Sequence, residues 1–120
     1  MQDLITLTLT GRIIPKARPR VTRGQAYLPS NYRDWKEKSI TEIISQLPLG
    51  WRPFTQACVA IQLQGSMRGD IDNISGSILD VLVQSQVLRD DRLSCLPKLV
   101  IRHVKQGGPG AIISILGIAS

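Results

Sequence analysis

At 120 residues the chain has the length of one domain, residues 1–120, and it can bury a core without disulfide or metal staples. Its 42% apolar and 20% charged residues are those of a soluble globular domain, and no apolar run approaches the roughly 18 residues of a membrane span. The net charge of +6, fifteen Lys+Arg against nine Asp+Glu, points to a polyanionic partner or serves solubility alone.

The charge is uneven along the chain. Residues 1–40 hold eight basic and three acidic residues, 81–120 hold five and two, and the middle third reverses the sign with two and four. An acidic island in a basic protein fits a cation site set in a polyanion-binding surface. The start, MQDLITLTLT, has no basic n-region or cleavage site, so the cytoplasm is the expected compartment. Cys58 and Cys95 lack zinc-site spacing and read as buried free thiols. His103, in LVIRHV, reads as a strand-face residue rather than a ligand.

In chain order, LITLTLTGRI alternates Ile5, Leu7 and Leu9 with threonines and predicts a strand. GRIIPKARPRVTRGQAYLP is broken by Pro15, Pro19 and Pro29, with a turn at Gly24 before a short extended QAYL. SNYRDWKEKSITEIISQL predicts a helix, started by Ser30 or Asn31 and closed by Pro48 and Gly50. ACVAIQLQG is the next strand. DNISGSILDVLVQSQ predicts a second helix, capped by Asp72, with Ile71, Ile74, Ile78 and Leu82 on one apolar stripe. CLPKLVIRHVKQ and AIISILGIAS are the closing strands, and Gly107-Gly108-Pro109-Gly110 between them reads as a hairpin turn. The expected fold is an α+β two-layer domain, a mixed β-sheet with two helices packed on one face, in the order β-β-α-β-α-β-β.

Two constellations carry chemistry. Asp70 and Asp72 straddle Ile71 at a strand-to-helix junction, where residues two apart in extended chain point the same way. Asp90 and Asp91 form a second acidic pair after the second helix. Carboxylates of this kind suit Mg²⁺ or Mn²⁺, and two ions roughly 4 Å apart can activate water and stabilise the leaving oxygen in phosphodiester cleavage. The competing reading of Asp70 and Asp72 is a routine helix cap and turn. Asp80 reads as solvated or as a helix-surface partner. The second constellation is basic: Arg12, Lys16, Arg18, Arg20 and Arg23 lie within twelve residues, stiffened by prolines, and suit phosphates. With only five aromatic residues, backbone contact outweighs base stacking. A solvated loop is the bland reading of the same residues.

Together these segments resemble a known family. GRIIPKARPR is similar to the G-x-x-x-P-K-x-R-P-R signature of the RusA-type Holliday junction resolvases. GDIDNISGSILDVL followed by LRDD resembles that family's G-D-x-D-N helix and later acidic pair. The resemblance spans roughly residues 9–105. It implies a homodimeric, Mg²⁺-dependent endonuclease that makes paired nicks in four-way junction DNA during recombination or repair. No small-molecule cofactor or membrane partner is expected. By position, Asp70, Asp72 and Asp91 would be the catalytic, metal-binding carboxylates, with Asp90 beside them and Asn73 supporting the cluster. Lys16, Arg18, Arg20, Arg23 and Arg68 would meet DNA.

One position departs from the pattern. The family continues G-D-x-D-N-x-x-K, and here the lysine position is Gly76. On a helix, position 76 shares a face with Asp72, and a lysine there could stabilise charge on the phosphate. Glycine supplies no charge and costs a helix about 1 kcal/mol relative to alanine. Three readings of this glycine stand open: another cation such as Arg68, Arg89 or Arg92 supplies the charge, the substrate needs the room, or the protein binds metal and DNA but cleaves slowly or not at all.

Overall fold

The alternation in LITLTLT makes β1 (Leu4–Thr10), with Leu7 and Leu9 buried and the threonines outside. The remaining elements are β2 (Arg20–Thr22), β3 (Gln25–Tyr27), α1 (Ser30–Gln46), β4 (Ala57–Gln64), α2 (Ile71–Gln84), β5 (Lys98–Val104) and β6 (Gly110–Gly117). This computed structural model describes residues 3–16, 20–22, 25–27 and 30–118. The fold is α+β as expected: a four-stranded mixed sheet ordered β1-β6-β4-β5, with two helices. The short extended segment before α1 is a pair of strands, β2 and β3, that form their own antiparallel ribbon. No helix among the described residues is long and apolar enough to cross a membrane.

The core lies between one sheet face and the helices. Val59, Ile61 and Leu63 of β4, Ile113 and Ile115 of β6, and Leu7 and Leu9 of β1 pack against Ile43, Ile74, Ile78 and Leu82. Ile71, expected on that stripe, is about half exposed, in the first turn of α2.

α1 also closes the free edge of β1. Gln46 and Glu42, one turn apart, reach the strand together. The Thr8 N–H donates to Gln46 Oε1 at 2.8 Å, Gln46 Nε2 donates to the Thr8 carbonyl at 2.8 Å, and the Thr10 N–H donates to Glu42 Oε1 at 2.9 Å. These side chains replace a neighbouring strand and hide an edge open to pairing with other chains.

The expected hairpin between the last two strands does not form. β4 lies between β5 and β6, parallel to the first and antiparallel to the second. The Gly107–Gly110 turn has to pass over the end of β4, and does so at Gly65 (φ +79), where a Cβ would lie 2.8 Å from the Pro109 backbone. Local turn chemistry marked the turn correctly but could not say which strands it joins in the sheet.

The β4–α2–β5 crossover positions the candidate site. β4 and β5 run parallel, so α2 starts near their C-terminal ends and returns to their N-terminal ends.

Candidate nucleic-acid and metal site

After β4 the chain turns through Gly65–Gly69 into α2. The helix begins one residue after Asp70, so Asp70 rather than Asp72 occupies the cap position, with φ −82 and ψ 145 and no side-chain capping bond. Its carbonyl accepts the Ile74 N–H at 3.0 Å. Asp72 falls in the first turn, and its Oδ1 accepts only the adjacent Asn73 N–H, at 2.9 Å. Asp70, Asp72 and Asn73 are all exposed. Neither carboxylate is consumed by capping, and both offset the positive end of the helix dipole.

The described start of the basic segment, up to Lys16, is laid directly on this helix start. Ile14 to Lys16 cross α2 in extended form. Ser77 Oγ donates to the Ile14 carbonyl at 2.5 Å, and the Lys16 N–H donates to the Asn73 carbonyl at 3.0 Å. Pro15 rests on Gly69, where φ is +125 and a Cβ would lie 2.5 Å from the proline ring. Any larger residue at 69 would push Pro15 away. Lys16 lies over Gly76, and its Nζ pairs with Asp80 Oδ1 at 3.2 Å. The two blocks that carried the family pattern are therefore one packed unit.

Asp80 is a helix-surface partner, the second of its two readings. Its Oδ2 accepts from the buried Tyr32 hydroxyl at 2.9 Å, while Oδ1 holds Lys16. Burial, then the Asp80 carboxylate, push the Tyr32 phenol well above its usual range. Sequence reading missed Tyr32 and Asp80 as supports of the site. The available signal was spacing: Asp80 follows Asp72 and Gly76 at successive helical turns on one face.

Asp90 and Asp91 lie elsewhere. They follow the C-terminal end of α2, beside Phe54, whose N–H donates to the Val87 carbonyl and whose carbonyl accepts from Arg89. That is the N-terminal end of β4. The length of α2, about 20 Å for its 14 residues, separates this pair from Asp70 and Asp72. Asp90 accepts from the Asp91 N–H at 2.7 Å and from Arg92 Nε at 2.8 Å, and these contacts hold its carboxyl below the usual range. Asp91 is exposed. Among the described residues no three His, Cys, Asp or Glu side chains of one chain form a group that could hold a metal. Asp70 and Asp72 stand at the start of α2, the first as its cap and the second in its first turn, so they are not two residues apart in one extended stretch, and Asp91 lies at the helix's other end.

Of the expected DNA-contacting residues, Lys16 and Arg68 flank the helix start and are exposed, and Arg20 lies in β2. Arg18 and Arg23 lie outside the described residues. His103 stands on β5, where its Nε2 is 2.7 Å from the Gly65 carbonyl, as a strand-face residue. Both cysteines are free.

The family described as "Endodeoxyribonuclease RusA" matches the chain over residues 10–116. The chain belongs to the RusA endodeoxyribonuclease family. The match covers β1's last residue through most of β6 and so includes every element of the site. RusA membership implies an endonuclease that acts on four-way DNA junctions. No curated protein matches the chain significantly.

Proposed function

We propose that this RusA-family protein is a Mg²⁺-dependent, structure-specific endodeoxyribonuclease that resolves four-way junctions by paired nicks. The observation that carries the reading is the seating of Pro15 and Lys16 on the Gly69–Asn73 turn. Lys16, which would meet phosphate, and two carboxylates free of capping bonds share this end of α2, and a metal-dependent nuclease needs both kinds of group.

Asp70 and Asp72 would hold the metal. Mg²⁺ binds through one or two carboxylates and completes its shell with water and substrate phosphate, so two exposed aspartates at one helix start fit it. The bound ion would supply Lewis acidity to the phosphate and lower the pKa of a water. The chain's own work is positional. Pro15, Gly69 and the Asn73 carbonyl hold Lys16 against the helix start, and Lys16, Arg68 and Arg20 would draw in the DNA backbone.

The protein would act as a homodimer, since two copies related by a two-fold axis can present two sites to a junction. The separation of Asp91 from Asp70 and Asp72 along α2 supports the same arrangement. A metal set that includes Asp91 takes it from the second subunit, with Asp90 held by Arg92 beside it.

Gly76 favours a second reading, in which the protein binds junctions and does not cut them. Incubating a synthetic four-way junction with Mg²⁺ or Mn²⁺ separates the two, with Asp72→Asn as control. Paired nicks above that control support the nuclease. Tight junction binding without metal-dependent nicking supports the binding protein.

A further inference from the structure

The cation absent at position 76 has a structural counterpart. Lys16 is anchored to α2 through its backbone, by the bond from its N–H to the Asn73 carbonyl, and through Pro15 against Gly69. A Cβ built on Gly76 would lie 3.8 Å from Lys16 Cβ and 3.4 Å from Lys16 Cδ. The Lys16 stem thus runs in van der Waals contact with the point from which a residue-76 side chain would start. Its ammonium sweeps much the same volume as that of a lysine rooted at 76, including the space above Asp72, one helical turn away.

The head group is free to make that sweep. The Lys16 side chain is 51% exposed, and its ion pair with Asp80 lies at the surface, where such pairs are weak. Asp80 keeps the Tyr32 hydroxyl when the lysine leaves, so the exchange strands no buried charge. Arg68 flanks the helix start, but among the described residues only Lys16 lies within 4 Å of a Cβ at Gly76, and the remaining two cations stand at the far end of α2. Arg92 is tied to Asp90 at the far end of α2, and Arg89 lies beside it.

We propose that Lys16 is the cation that contacts the phosphate being cleaved. Its ammonium leaves Asp80 and binds that phosphate above the Asp70–Asp72 end of α2, supplying from the neighbouring segment the charge that Gly76 lacks. Asp80 is then a resting partner that parks the ammonium beside the site. The inference rests on the nuclease reading above, and it explains how a chain with glycine at 76 can still cut.

Two measurements on the full-length protein test it. The first is junction affinity against salt concentration without divalent metal. Lys16→Met keeps the stem over Gly76 and removes one phosphate contact, so the slope of log K against log[salt] should fall by about 0.9. The second is single-turnover cleavage at saturating protein, which should fall at least tenfold in Lys16→Met. Adding Gly76→Lys to Lys16→Met should restore both slope and cleavage, and this rescue also shows that the single variant had not simply misfolded. Wild-type cleavage by Lys16→Met, an unchanged salt slope, or no rescue by Gly76→Lys would each overturn the proposal. If the unaltered protein cuts no better than Asp72→Asn, the nuclease reading fails instead, and the salt slope still reports whether Lys16 holds a phosphate.

Discussion

Gly76→Ala should stabilise the protein. Gly76 lies inside α2 with ordinary helical backbone, so alanine meets no conformational penalty and recovers about 1 kcal/mol of helix propensity. The new methyl would meet Lys16 Cδ at 3.4 Å and Cβ at 3.8 Å, ordinary van der Waals distances to a flexible stem. No term of opposite sign approaches 1 kcal/mol. For 120 residues, an unfolding entropy of roughly 2.1 cal/mol/K per residue amounts to about 0.25 kcal/mol/K, which converts the gain to about 4 °C in Tm. Calorimetry and urea unfolding of the purified protein measure it. Gly110→Ala is the matched opposite, because its Cβ would lie 2.6 Å from the Leu9 carbonyl oxygen. A flexible side chain can give way and a sheet backbone cannot, so that variant should lose about 2 kcal/mol. A lowered Tm in Gly76→Ala would refute the packing described for Lys16, since it would mean that the stem is too tightly held to accommodate one methyl group.

Other perturbations follow from the same contacts. Tyr32→Phe removes a buried hydroxyl that donates to the Asp80 carboxylate and should cost about 2 kcal/mol in urea unfolding. The Tyr32 phenol is raised in the folded state and ionises near its usual value of 10.0 when unfolded, so its contribution is intact below that pH. Above it the unfolded chain loses a proton that the folded chain keeps, and stability should fall as pH rises; in Tyr32→Phe melts that part of the decline should vanish. Replacing Glu42 and Gln46 together by alanine uncovers the β1 edge, and light scattering should show aggregates larger than the dimer that the unaltered protein does not form. Mixing Asp72→Asn with Asp91→Asn subunits should restore one working site per heterodimer if Asp91 acts across the dimer. If the mixture stays as inactive as each parent, the shared site is wrong.

Much of this was legible in the residues. The 2.0-residue alternation of β1 and ACVAIQLQ, and the 3.6-residue stripe Ile74, Ile78, Leu82, reflect one buried face each, which local order alone encodes. The basic block and the Asp70–Asp72 pair pointed to the candidate site because residue types of opposite charge stand there at recognisable spacing, whereas the spacing of Asp90 and Asp91 could not show that they lie at the other end of α2. The hairpin expectation failed for a physical reason: pairing partners are chosen by which strand fills the sheet's centre, and β4 does so with four buried residues on its inner face.

Element types, the α+β class and the candidate residues for metal and phosphate could be read from the chain alone, because they depend on side-chain chemistry and short-range periodicity. Tertiary structure decided which of them meet. The parallel pairing of β4 and β5 forces α2 to run back along the sheet, and that alone parts Asp91 from Asp70 and Asp72. The same packing sets Lys16, sixty positions away in the chain, over the glycine at 76, because Gly69 in the turn before α2 and Gly76 within it leave room where Pro15 and Lys16 cross. Distances of that kind are fixed by the closure of the core, and no local pattern carries them.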